Sequence, residues 1–98
     1  MRTNQFGTKI KSARLKVGLL QQDVASLLNI DGPMLSKIEK GERLAKKEQI
    51  KKLAEILNTD ENQLITLWLA DQVFDVLKDE KMADQALKSV SRKIKKRK

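Results

Sequence analysis

The side chains that could do chemistry in this sequence are cations, carboxylates, amides and a few hydroxyls; histidine, cysteine and tyrosine are all missing. A nucleophile–base pair would lack its commonest members. A metal site would need carboxylates alone, and no cluster has the spacing of a calcium loop. The residues therefore predict no enzyme, no metal and no cofactor. What remains is recognition of an anion. Lys37, Lys40, Arg43, Lys46 and Lys47 crowd one stretch, which suits a polyanion such as nucleic acid, although a solvated basic face has the same composition.

The distribution of charge sharpens this. The 98 residues carry a net charge of +8. Residues 1–57 are net basic, 58–87 net acidic, and 88–98 hold seven basic side chains and no acidic one. An acidic middle would be repelled by the polyanion that a basic block attracts, so it should sit away from it. The length allows one domain, or one domain with an appendage, and a modest core without a deep cleft or a ligand-sensing domain. No small-molecule ligand is expected. No apolar run follows Met1-Arg2-Thr3-Asn4-Gln5, and none approaches the roughly 20 residues of a membrane span. The lack of cysteine fits a reducing compartment, so the expected location is the cytoplasm, with no membrane partner.

Elements able to position these groups follow from apolar spacing. With one proline and only Phe6, Trp68 and Phe74 as aromatics, the chain reads as all-helical, in six segments. The first, about 5–17, has Phe6, Ile10, Ala13, Leu15 and Val17 as its apolar stripe and stops at Gly18. The second, about 21–28, turns Val24, Ala25, Leu27 and Leu28 inward and ends at Asn29, a residue tolerant of positive φ. Asp31 is a good N-cap for the third, Pro33 fits its first turn, and Gly41 lies just past its end. The fourth spans about 45–57, with Ile50, Leu53, Ala54 and Leu57 inward. Asp60 and Gln63 make a capping box for a fifth that runs to about Lys78. A sixth, about 82–95, aligns Met82, Ala86, Leu87, Val90 and Ile94 on one face.

Residues 21–41 carry the strongest pattern. Val24, Leu28, Ile30, Leu35 and Ile38 let two short helices cross and share a core around Asn29-Ile30-Asp31, with small Ala25 where they approach. That is a helix-turn-helix, whose second helix enters the major groove. Over residues 6–67 the sequence resembles the lambda-repressor-like (Cro/cI-type, XRE) DNA-binding family. Gly18-Leu19-Leu20-Gln21-Gln22-Asp23-Val24-Ala25 resembles its entry to the first motif helix. Leu35-Ser36-Lys37-Ile38-Glu39-Lys40-Gly41 resembles its recognition helix and exit, and Leu53-Ala54-Glu55-Ile56-Leu57 with Leu64 its last core helices. The chain departs at Leu20, where relatives carry Ser or Thr, and at Asn29, where they often carry Gly. Leucine cannot accept a backbone N–H, which should cost about 1 kcal/mol unless another group caps the helix.

The resemblance implies an all-α fold: a five-helix lambda-repressor-like domain with an extended C-terminal helical segment. It also implies a sequence-specific transcriptional regulator of prokaryotic or phage type that binds double-stranded DNA as a homodimer on a roughly palindromic operator. Gln21 then contacts a phosphate, beside Gln22. The base-facing positions are Gly32, Pro33, Met34, Ser36 and Lys37. Lys37 is able to donate to guanine, Ser36 to several bases, and Pro33 or Met34 to touch a thymine methyl, while Met34 fits partial core packing equally well. A code this sparse gives weight to DNA shape. Lys40, Arg43, Lys46 and Lys47 flank the groove. Arg14 and Glu39 stand where the family pairs an arginine with a glutamate, implying a partly buried structural ion pair.

The fifth segment is too apolar for one face of a small domain. Leu64, Leu67 and Trp68 close the core. Ile65, Leu69, Val73, Phe74, Val76 and Leu77 are left for a dimer interface, unless the sixth segment folds back over them. The expected organisation is a helix-turn-helix domain over 5–67, a C-terminal helical dimerisation extension over 68–91 and a basic tail over 92–98. The tail suits either a DNA-clinging arm or a solubilising end. The alternative function is an antitoxin or interaction module whose C-terminal helices bind a partner protein, with DNA binding as autoregulation.

Overall fold

A computed structural model describes residues 4–97, which form six helices and no strand. They are α1 (Gln5–Val17), α2 (Gln21–Leu27), α3 (Gly32–Lys40), α4 (Lys47–Ile56), α5 (Glu61–Leu77) and α6 (Ala83–Lys96). Met1, Arg2, Thr3 and Lys98 lie outside the described residues, and with them most of the N-terminal stretch read for a leader and the last residue of the basic run.

The breaks are chemical. Gly18 and Gly41 end α1 and α3 with φ of 80° and 79°, and Asn29 and Asn58 take φ of 59° and 52° after α2 and α4. Asp31 and Asp60 cap α3 and α5 by accepting from the N–H of Met34 (2.7 Å) and Gln63 (3.0 Å). Pro33 sits in the first turn of α3. At Leu20 the forward cap is missing, as its side chain dictates. The Asp23 carboxylate instead accepts from the N–H of Leu20 (2.9 Å), so α2 still starts at Gln21.

One core joins α1 to the first turn of α5: Phe6, Ile10, Val24, Ala25, Leu28, Leu35, Ile38, Ala45, Ile50, Leu53, Ala54, Leu57 and Leu64. Among the described residues none after Leu64 is buried; Ile65, Leu67 and Trp68 are partly covered against the core. The indole N–H of Trp68 donates to the Ala45 carbonyl (2.8 Å), pinning α5 to the loop before α4.

Three residues expected to be inward are exposed. Leu15 lies about 180° round α1 from Phe6 at about 100° per residue, and the inner line is completed by Arg14. Val17 is on the correct side but at the last position of α1, and stays exposed. In α2 the contact falls on the Ala25 flank of the Val24–Leu28 line, which turns Leu27 to the opposite flank. Ala45 is buried, but it precedes α4 rather than opening it. α6 runs from Ala83 through the basic stretch at Arg92 to Lys96.

α1 and α3 cross closely at Gly7. A Cβ there would stand 2.5 Å from the Glu39 carbonyl oxygen and 2.7 Å from that of Ile38, and would also press on the Asn4 side chain. Backbone cannot yield as a flexible side chain does. Gly7→Ala should therefore cost about 1–3 kcal/mol by overpacking, despite alanine's better helix propensity. Urea unfolding followed by fluorescence of Trp68, the single tryptophan, measures it.

Candidate nucleic-acid interface

α2 and α3 are joined by a short turn in which the N–H of Ile30 donates to the Ala25 carbonyl (3.0 Å) and Ile30 is partly buried. α3 is thereby divided into two faces. Leu35, Ile38 and Glu39 are buried; Pro33, Lys37 and Lys40 are exposed; Gly32, Met34 and Ser36 are half-covered. Met34 packs against the core, and the Met34 N–H holds the Asp31 cap. Space is open around Gly32. A shallow notch between the starts of α2 and α3 is lined by Leu20, Gln21, Gln22, Gly32, Pro33 and Ser36, so five of the expected contact residues meet at one place. Lys37 and Lys40 continue along α3, and Arg43, Lys46 and Lys47 are exposed between α3 and the first turn of α4.

Behind the outer face lies a charged network. The Arg14 guanidinium grips the Glu39 carboxylate with two bonds, Nε to Oε2 at 2.7 Å and Nη2 to Oε1 at 3.1 Å. Nη1 donates to the Leu19 carbonyl (3.0 Å), and Gln21 Nε2 donates to Glu39 Oε1 (2.9 Å). Both charged residues are buried, at 7% and 5% exposure, and no buried side-chain polar atom among the described residues lacks a partner. The network ties α1, the α1–α2 turn, α2 and α3 together, so it fixes the angle at which α3 is presented. Glutamine fits at position 21 because one end bonds the buried carboxylate while the side chain remains only half-covered.

A family model described as helix-turn-helix matches residues 10–64. The chain belongs to the lambda-repressor-like, XRE-type helix-turn-helix family. No curated protein and no solved structure matches it. In this helix-turn-helix chain the matched region takes in α2 and α3, the framework of a DNA-binding regulator. No helix is long and apolar enough to cross a membrane among the described residues, and no group of three or more acidic side chains there is placed to hold a metal.

Sequence reasoning missed the residues that brace this helix-turn-helix from outside the motif. Asn4 caps α1 by accepting from the Gly7 N–H (3.2 Å), and its Nδ2 donates to the Glu39 carbonyl (2.8 Å). Asp71 of α5 accepts from the N–H groups of Gln5 (3.0 Å) and Phe6 (2.9 Å), placing a carboxylate at the positive end of α1. Asn4 just before a helix was a legible cap signal. Asp71 gave none, because its partners lie more than sixty residues away.

Proposed function

We propose that this protein is a transcriptional regulator that binds a roughly palindromic operator as a homodimer, with α3 of each protomer in the major groove. The observation that carries this reading is the division of α3. Its inner face is fixed by Leu35, Ile38 and the Arg14–Glu39 pair, and its outer face, with Pro33, Ser36 and Lys37, is open. Lys37 reads a guanine, Ser36 a neighbouring base, and Gly32 lets the backbone approach while Pro33 touches a thymine methyl. Gln21 and Gln22 hold a phosphate at the notch, and Lys40, Arg43, Lys46 and Lys47 grip the backbone on the other side. Two protomers place their α3 helices about one helical turn apart on DNA.

Selection of bound duplexes from a random pool, at two salt concentrations, tests this. A motif with two-fold symmetry is expected at both. If about six phosphates are neutralised per dimer, affinity should fall about a thousandfold from low to moderate salt. Binding that yields no motif and vanishes in salt would refute sequence reading. Lys37→Ala and Lys40→Ala divide the roles. The first should relax discrimination at one position per half-site, by about 1–3 kcal/mol. The second should weaken all sequences alike and lower the salt slope by about one unit for each phosphate that is no longer neutralised.

A second reading, an interaction module that neutralises a partner protein, draws on the apolar side chains left open along α5 and α6. Sedimentation of the purified chain separates the two: a stable homodimer that covers this surface leaves no place for such a partner.

A further inference from the structure

α5 and α6 meet at an angle across residues 78–82, and the inner sides of both line one open groove. Leu69, Ala70, Val73, Phe74 and Leu77 form one wall, and Ala83 and Leu87 the other. α6 nevertheless covers nothing: none of its residues is buried, and only Ala83 is partly so. Ala83, Leu87, Val90 and Ile94 follow one another at steps of four, three and four, the seam of a helix meant to pack on another helix. Leu87 reaches the groove, whereas Val90 and Ile94 are more than half exposed.

We propose that the dimer forms by exchange of α6, the α6 of each protomer seating in the α5–α6 groove of its partner. This rests on the homodimer reading and specifies its architecture. Three observations select a second copy as the occupant. The groove holds about 710 Å³, which suits a turn or two of helix at about 400 Å³ per turn for a cylinder about 10 Å across.

Charge comes second. From Lys88 to Lys96 α6 carries Lys88, Arg92, Lys93, Lys95 and Lys96 and no acid, while α5 carries Glu61, Asp71 and Asp75 and no base, and the following turn sets Asp79 and Glu80 against Lys78 and Lys81. Two α6 helices paired in parallel would oppose like charges. An α6 laid on the partner's α5 meets the opposite sign.

Area comes third. Leu69, Val73, Phe74, Val76, Met82, Leu87, Val90 and Ile94 are each more than two-fifths exposed. At roughly 80 Å² apiece they approach the about 800 Å² per partner of a standard interface. Exchange also explains why this much apolar surface is retained on a helix that its own chain does not use.

The absence of cysteine makes the test clean. Sedimentation of the unaltered chain at micromolar concentration comes first: a dimer is expected, and a monomer overturns both the dimer reading and the exchange. Three single variants follow, V73C on α5 and V90C and I94C on α6, all at exposed positions that leave the core intact. V73C is mixed with each α6 variant, allowed to exchange subunits and oxidised. Because each chain has one thiol, a mixed disulfide must join two copies. Exchange predicts V73C–V90C or V73C–I94C as the dominant product. A stable dimer that yields only V90C–V90C, I94C–I94C or V73C–V73C disulfides, or none, overturns the exchange while leaving the dimer standing.

Discussion

Arg14→Met should remove about 3–5 kcal/mol of stability, the largest loss expected from any single replacement behind the recognition helix. Total stability of a domain this size is about 5–15 kcal/mol, so the variant lies near the edge of folding. The loss comes from what is left behind. Glu39 would keep a buried charge with Gln21 Nε2 as its remaining side-chain donor, and it sits in the last turn of α3, where the helix dipole disfavours an anion. Glu39→Gln should be milder. Arg14 keeps its bond to the Leu19 carbonyl and stands in the last turn of α1, where a cation is favoured. The double replacement Arg14→Met with Glu39→Leu should cost less than Arg14→Met alone, since no charge is stranded. Urea melts of the four proteins, followed by Trp68 fluorescence, give this ranking directly. Losses near zero in both single variants would show that the pair is solvated enough to tolerate either orphan. The double variant should still bind DNA more weakly than its stability suggests, because Gln21 loses the carboxylate that orients it.

The helix-turn-helix was legible because its determinants are local. Val24, Leu28, Leu35 and Ile38 lie within fifteen residues, and Asp31, Pro33 and Gly41 mark the ends of α3 by chemistry that a neighbour can neither supply nor remove. The Arg14–Glu39 pair was legible only through resemblance, since nothing in spacing places a residue of α1 against the end of α3. Exposure at Leu15 and Leu27 was misread for a related reason. Apolar periodicity says which residues share a face, and the packed partners decide which flank of that face is covered. In α2 the partners lie on the side of Ala25. Gly7 and Asp71 were invisible altogether. One is needed because two backbones nearly touch, the other because a helix begins beside it, and neither fact is present in a linear pattern. The same limit applies at α6, whose seam announces a packing partner without saying which chain supplies it.

Val73→Asp should separate folding from operator binding most sharply. Val73 is exposed in the single chain and is not one of the buried core residues, so the domain from Phe6 to Leu64 should fold unchanged. In a dimer closed through α5 and α6 the new carboxylate would be taken out of water beside Phe74 and Leu77, in an apolar groove that Lys78 reaches from its rim. Desolvating that charge costs several kcal/mol, which a flexible lysine or arginine repays only in good geometry, and a modest interface has little margin. The expected outcome is a monomer by sedimentation with an unaltered helical spectrum. Its operator affinity should fall by about 10²–10⁴, because the second half-site is no longer delivered at high local concentration. Affinity for an isolated half-site should stay within about twofold, since every groove-facing residue is retained and a small change there is well under 1 kcal/mol. That contrast is the decisive measurement. An equal loss on half-site and full operator would place the damage in the recognition helix, and retention of full-operator affinity would move the dimer contact away from α5.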